Sequence, residues 1–158
     1  MNPRTKQQLA DAGWVEGRVR WLDDQAERLA QRGFAMFPAA RAFLERYGGL
    51  RVGGPAMLRR GTGTYFHTDP DSVVTDPSWT QEWEQLSGTR VFPIGETAWG
   101  EYTLLIDEHG RIFGMDMTTT LTYWADDAEA LLDVVLGYGG TFRPVDADDC
   151  RPIGGSRP

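Results

Sequence analysis

The chain has 158 residues, one cysteine and a net charge of −7, and this length predicts one domain. No apolar run approaches the roughly 20 residues of a membrane span, the first residues do not resemble a signal peptide, and the single Cys150 excludes a disulfide framework. We therefore expect a cytoplasmic protein. Residues 1–60 hold eleven Lys or Arg against six Asp or Glu, a net +5, whereas residues 61–149 hold three against seventeen, a net −14.

Apolar residues at helical spacing predict three helices in the first part of the chain. They cover about Pro3–Ala12, a segment capped by Asp23 or Asp24 that ends at Gly33, and Pro38–Tyr47. The third helix leads into the glycine-rich stretch FLERYGGLRVGG. A phosphate loop needs the order strand, glycines, helix, and here the helix comes first. We therefore interpret Gly48 as a left-handed cap that ends the helix, and not as part of a nucleotide site.

Short β-type runs dominate the chain after Leu50. They are predicted around residues 51–58, 62–67, 90–94, 102–107 and 111–115, and TLLIDEHGRIFGM is typical of a β-hairpin. One helix should begin at Asp76-Pro77, and a last helix should begin at Asp126 or Asp127 and end at Gly137. Helices, then a strand meander, then a closing helix favour a single α+β domain over residues 1–145. Residues 146–158 are predicted to form a flexible polar tail.

Candidate catalytic residues are few. His67, beside Asp69 and Asp71, and His109, in the hairpin, are interpreted as surface turn residues, because HTDPD has no recognised metal-ligand spacing. No nucleophile motif or cofactor motif is present, so we expect no catalytic residue, no metal and no cofactor. Some pair of carboxylates can always be chosen in a chain this acidic, so a carboxylate-based hydrolase is the weakest alternative.

The aromatic residues divide into two groups. Trp79 and Trp83, four residues apart on a predicted helix, should form a core face. Trp99, and Tyr123-Trp124 in a predicted loop before the last helix, are harder to place. They are either lids on the core or the kind of ring that anchors a protein interface.

Five segments in order resemble one protein family. They are AGWVEGR (12–18), FLERYGGL (43–50), VFPIGE (91–96), LLIDEHGRIF (104–113) and EALLDVVLG (129–137). The set is similar to the SUKH superfamily of bacterial toxin-immunity proteins, most of all to its third subfamily. The resemblance implies N-terminal helices, a curved and mostly antiparallel sheet and a C-terminal helix. It also implies a cytoplasmic protein that is encoded beside a toxin, often a nuclease or deaminase, and silences it by binding. The shared motif residues carry over as scaffold: Gly13, Trp14, Gly48, Gly49, Pro93 and Gly110.

The acidic part of the chain suggests how such a protein would bind. A toxin that acts on nucleic acid needs a positive groove, which an acidic inhibitor can occupy. The hypothesis assigns partner binding to Asp69, Asp71, Asp76, Glu82, Glu84, Glu96, Trp99, Glu101 and Tyr123. The partner would be a basic toxin domain, with no nucleic acid or membrane bound, and a monomer is favoured. The alternative function is a general protein-interaction or regulatory module of the same fold without a toxin partner.

Overall fold

Side-chain caps mark the start of three of the five described α-helices. The second helix begins after Leu22 without a side-chain cap, so neither Asp23 nor Asp24 caps it as predicted. The computed structural model describes residues 1–53, 65–73, 75–97, 101–139 and 143–145. Within these residues the α-helices are α1 (Pro3–Asp11), α2 (Asp23–Gln31), α3 (Pro38–Tyr47), α4 (Pro77–Ser87) and α5 (Ala128–Val135), and a short 3-10 helix covers Pro70–Ser72. The side chain of Asp76 accepts a hydrogen bond from the Ser78 amide at the start of α4, and Asp127 accepts one from Ala130 at the start of α5.

The strands form one antiparallel sheet in chain order. They are β1 (Arg51–Val52), β2 (Phe66–His67), β3 (Val91–Thr97), β4 (Tyr102–Asp107), β5 (Ile112–Asp116), β6 (Leu121–Ala125) and β7 (Arg143–Pro144). The described part of the sheet is open and uncurled, with β1 and β7 at its edges, whereas the resemblance implied curvature. Helices followed by an antiparallel meander and a closing helix confirm the predicted α+β domain.

The two faces of the sheet differ in what covers them. The larger hydrophobic cluster joins sheet residues such as Phe92, Ile94 and Leu104 to apolar residues of α1, α2, α3 and α5. The opposite face carries a smaller cluster, Val91, Leu105, Phe113 and Met115, against which Trp83 of α4 packs. Side chains alternate between the faces of a strand, so β3 and β4 contribute to both clusters.

The glycines after α3 differ from the prediction. Gly48 is not left-handed: it has φ −60° and ψ 144°, and Gly49 takes the left-handed conformation at φ +73°. Gly48 is glycine for lack of space, because a Cβ there would lie 2.4 Å from the Leu44 carbonyl oxygen and 2.7 Å from Nη1 of Arg20. The stretch FLERYGGL therefore ends a helix as predicted, but Gly49 and not Gly48 is the left-handed residue.

Four aromatic or titratable residues lie elsewhere than predicted. His67 is buried on β2 and is not a surface turn residue. Tyr123 and Trp124 belong to β6 and not to a loop, and the Trp124 ring fills the space that a Cβ on Gly114 would need. On α4, Trp83 is partly buried but Trp79 is exposed, so only one of the two packs as a core residue. The proposed tail, Trp99 and most of the predicted strand 51–58 lie outside the described residues.

Trp14 begins the connection from α1 to α2. Gly13 has φ +89° immediately after α1, and it directs the chain so that the Trp14 ring turns inwards. Only 4% of Trp14 is exposed, and its ring stacks on Tyr47 of α3 at 6.2 Å between centroids. Burial raises the pKa of the Tyr47 hydroxyl to about 12. The Trp14–Tyr47 stack thus joins the first connection to α3.

Candidate partner-binding surface

The predicted acidic residues come from elements that gather around β3. The 3-10 helix and α4 both contact this strand. The acidic side chains are Asp69 and Asp71 at the 3-10 helix, Asp76 at the start of α4, Glu82 and Glu84 on α4, Glu96 on β3 and Glu101 just before β4. The fold therefore brings carboxylates that are distant in sequence to the surroundings of one strand, and we call this set the acidic face.

Several members of the acidic face also have roles within the chain. Oδ2 of Asp71 accepts hydrogen bonds from Nη2 of Arg28 at 2.8 Å and from Nε2 of Gln25 at 2.9 Å. Burial acts to raise the pKa of Asp71, but these hydrogen bonds outweigh it and the pKa is lowered. Asp76 caps α4, and Oε1 of Glu84 accepts from the Val91 amide at 2.9 Å. These three carboxylates hold elements together, which a sequence pattern does not reveal.

Glu96 shares a site with a buried histidine. Nε2 of His67 lies 3.5 Å from Oε2 of Glu96, and both side chains are largely buried. The Asp69 amide donates to Nδ1 of His67 at 3.3 Å, so in the neutral ring the proton is on Nε2, facing Glu96. Cross-strand pairing of His67 with Glu96 produces this contact. Replacing Glu96 by lysine would therefore disturb this buried contact as well as the surface charge.

Glu82, Glu101 and Asp76 are the exposed acids of this face. Glu101, Tyr102, Asp116, Met117 and Thr118 line a shallow open depression of about 280 Å³ at one end of the sheet. Met117 is 84% exposed there. Hydrogen bonds from Thr118, and from the backbone of Thr120 and Thr118, lower the pKa of Asp116 and so favour its charged form. This end of the sheet combines two carboxylates with an exposed apolar side chain.

The predicted aromatic anchors are only partly available. Trp99 lies outside the described residues. The Tyr123 hydroxyl donates to Oδ1 of Asp126, and the guanidinium of Arg143 lies 4.4 Å from the centre of its ring. Trp124 is buried, and its Nε1 donates to Oγ1 of Thr122 at 2.6 Å. Trp124 therefore acts as a lid on the core, and Tyr123 is half-buried in the smaller cluster.

An exposed apolar segment was missed by the sequence analysis. In the connection between α1 and α2, Val15 is 62% exposed, Val19 77% and Trp21 79%. Arg18 and Arg20 alternate with them and are more buried than their apolar neighbours. The signal in the sequence was the run RVRW, a tryptophan and valine interleaved with two arginines.

The described residues offer no obvious site for other chemistry. Among the residues that the structure describes, no three His, Cys, Asp or Glu side chains gather closely enough to hold a metal ion. None of the described helices is long enough and apolar enough to cross a bilayer. Among the described residues, the acidic face and the Val15–Trp21 segment are the surface regions from which a contact with another macromolecule can be proposed.

One family of known proteins matches most of the chain. The model of the SUKH-3 immunity protein family matches residues 1–138. The chain belongs to this family. The match covers every described helix and all strands from β1 to β6, and it confirms the resemblance inferred from the five sequence segments. No curated protein and no solved structure matches the chain significantly.

Proposed function

We propose that this SUKH-3 protein acts in the cytoplasm as an immunity protein that binds a cationic nuclease or deaminase toxin and neutralises it through the acidic face. The observation that carries the proposal is the family match together with the net charge of −14 over residues 61–149. The protein would act by occupying the toxin and would catalyse no reaction of its own.

Electrostatics explains why such a surface suits this task. A nucleic-acid enzyme presents a positive groove to the phosphates of its substrate. Carboxylates of one sign create a field that steers a cationic partner, with association rates up to about 10⁸–10⁹ M⁻¹s⁻¹ at low salt. Once bound, the inhibitor's carboxylates take the place of the phosphates. Exposed acids such as Glu82 and Glu101 can contribute to this field without disturbing the fold.

The test measures association of the protein with an inactivated form of the toxin domain that is encoded beside its gene. The rate constant should fall as salt rises, and it should fall about tenfold or more in Glu82→Lys with Glu101→Lys at low salt. The matched control is Asp11→Lys with Glu27→Lys, which makes the same change of net charge at exposed helix positions outside the acidic face. Protection of cells that produce the active toxin provides the functional readout.

The outcomes separate three possibilities. A salt-dependent rate that only the acidic-face variant lowers supports the proposal. An equal loss in both double variants means that net charge, and not this face, governs binding. If the wild type neither binds the toxin nor protects cells, the protein is not an immunity protein for it, and the general protein-interaction module becomes the better assignment.

A further inference from the structure

The connection between α1 and α2 exposes what a folded chain normally buries. Three of its apolar side chains, Val15, Val19 and Trp21, are more than three-fifths exposed. Large exposed rings beside arginine are typical of the central anchors of protein interfaces. We refer to Val15, Arg18, Val19, Arg20 and Trp21 together as the Trp21 patch.

One guanidinium nitrogen of each arginine in the Trp21 patch has no acceptor among the described residues. Nη1 of Arg18 and Nη1 of Arg20 are both buried, and neither has a hydrogen-bond partner in the part of the chain that the structure describes. Burial, and after it the neighbouring charge of Arg20, lower the pKa of Arg18. Two partly desolvated guanidinium groups that repel each other favour carboxylates nearby, because an unpaired charge loses hydration without compensation.

The Trp21 patch is held firmly against α3. The Arg20 amide donates to the Glu45 carbonyl oxygen at 3.0 Å, and the Arg20 guanidinium lies where a side chain on Gly48 or Gly49 would be. Leu22, the next residue after the patch, is fully buried. A surface that is fixed in this way loses little conformational freedom when a partner binds.

The Trp21 patch also adjoins the acidic face. Gly49, against which Arg20 packs, donates its amide hydrogen to the Thr68 carbonyl oxygen at 2.7 Å, and Asp69 is the next residue. A partner that covers the acidic residues at the 3-10 helix can therefore reach Trp21. Because the two regions have opposite charge, the partner must present cations to one and carboxylates to the other.

From this arrangement we infer that the Trp21 patch is the anchor of the toxin contact. Its occupant is a toxin surface with an apolar pocket for Trp21 and Val19, bordered by Asp or Glu side chains that pair with Arg18 and Arg20. The inference rests on the proposed function, since it names the part of the immunity protein that determines how long the complex lasts. The acidic face speeds association with the toxin, and the Trp21 patch slows dissociation of the complex.

The experiment uses the full chain and the inactivated toxin domain encoded beside its gene, with association and dissociation measured separately. Trp21→Ala should weaken binding at least about 30-fold, mainly through faster dissociation, and Trp21→Phe should recover most of that loss. Arg18→Gln with Arg20→Gln should weaken binding about tenfold or more. The control, Trp79→Ala, removes an exposed ring from α4 beside the acidic face, and should leave the dissociation rate within about threefold of the wild type.

Each result bears on a different statement. If Trp21→Ala melts like the wild type and binds the toxin within about threefold of it, the docking assignment is wrong while the immunity function stands. If the wild type does not bind the toxin, the proposed function fails and the docking assignment fails with it. If Trp21→Ala instead abolishes a dimer seen by sedimentation and leaves toxin binding intact, a second copy of this chain is the occupant and the inference is overturned.

Discussion

Replacing Gly48 by alanine tests why the GGL motif contains glycine. The backbone of Gly48, at φ −60° and ψ 144°, is open to any residue, so the substitution carries no torsional cost. The new Cβ, however, would lie 2.4 Å from the backbone oxygen of Leu44, a distance that normal contacts do not reach. The Arg20 guanidinium at 2.7 Å can move aside, but the backbone oxygen cannot do so freely.

The expected cost follows from what the backbone must give up. The oxygen of Leu44 also accepts the hydrogen bond from the Gly48 amide at 2.9 Å, so any shift that relieves the new Cβ also strains this bond at the end of α3. Overpacking of this kind typically costs about 1–3 kcal/mol, and a weakened hydrogen bond adds about 0.5–1.5 kcal/mol. We therefore expect Gly48→Ala to destabilise the protein by about 2–4 kcal/mol.

Alanine substitutions at two other glycines distinguish a steric cost from a cost of backbone torsion. Gly13 has φ +89° with no atom within 4 Å of a built Cβ, so Gly13→Ala should show the torsional cost alone, about 1–2 kcal/mol. Gly49 has φ +73° and lies close to Arg20, so Gly49→Ala should destabilise the protein as much as Gly13→Ala or slightly more. Urea unfolding at 25 °C, followed by tryptophan fluorescence, gives the three free energies. If Gly48→Ala is no more destabilising than Gly13→Ala, the steric reasoning is wrong.

Two further predictions concern the stability of the fold. Trp14→Ala should lower the free energy of unfolding by about 3–5 kcal/mol because the ring is buried against Tyr47. Trp21→Ala should change the free energy of unfolding by less than about 0.5 kcal/mol because its ring is exposed. Similar values for the two variants would contradict the observed difference in burial. The folded-state pKa of Asp71 lies below its ordinary value of 3.8, so its contribution to stability is present above that pH and is lost as the pH falls below it. The melting temperature of Asp71→Asn should therefore fall less steeply than that of the wild type between pH 4 and pH 2.5, and parallel curves would contradict this assignment.

Local signals predicted the helices well and the sheet only in part. The bounds of α3, the caps at Asp76 and Asp127 and the hairpin between β4 and β5 depend on residues close in sequence, and these predictions agree with the structure. The predicted left-handed cap at Gly48 is not observed. Strand β7 has two residues and pairs with β6 across the closing helix, so no local pattern indicates it. Strand β6 depends on Gly114 leaving space for the Trp124 ring, which is a contact between neighbouring strands.

The candidate surface was harder to predict because acidic residues serve two purposes. A count of charge treats all carboxylates of residues 61–149 alike, yet Asp107 is fully buried and binds Arg111 at 2.6 Å, and Glu84 binds a backbone amide. Only the fold distinguishes these from exposed acids such as Glu82. The charge argument therefore predicts an acidic surface, but it does not indicate which of these carboxylates are available to a partner.

The exposed position of Trp21 follows from the way the short connection between α1 and α2 packs against α3. The motif AGWVEGR turns Trp14 into the core, and the chain must then cross the end of α3 before α2 begins at Asp23. The hydrogen bond from Arg20 to Glu45 and the glycines beneath the guanidinium fix that crossing, and the side chains that alternate with the arginines then face outwards. Within this segment Gly13 and Trp14 thus serve the packing of the core, and Val19 and Trp21 are left on the surface. Because function depends on the site and not on the fold, the family match does not identify this patch as the toxin contact, and the Trp21→Ala measurement decides it.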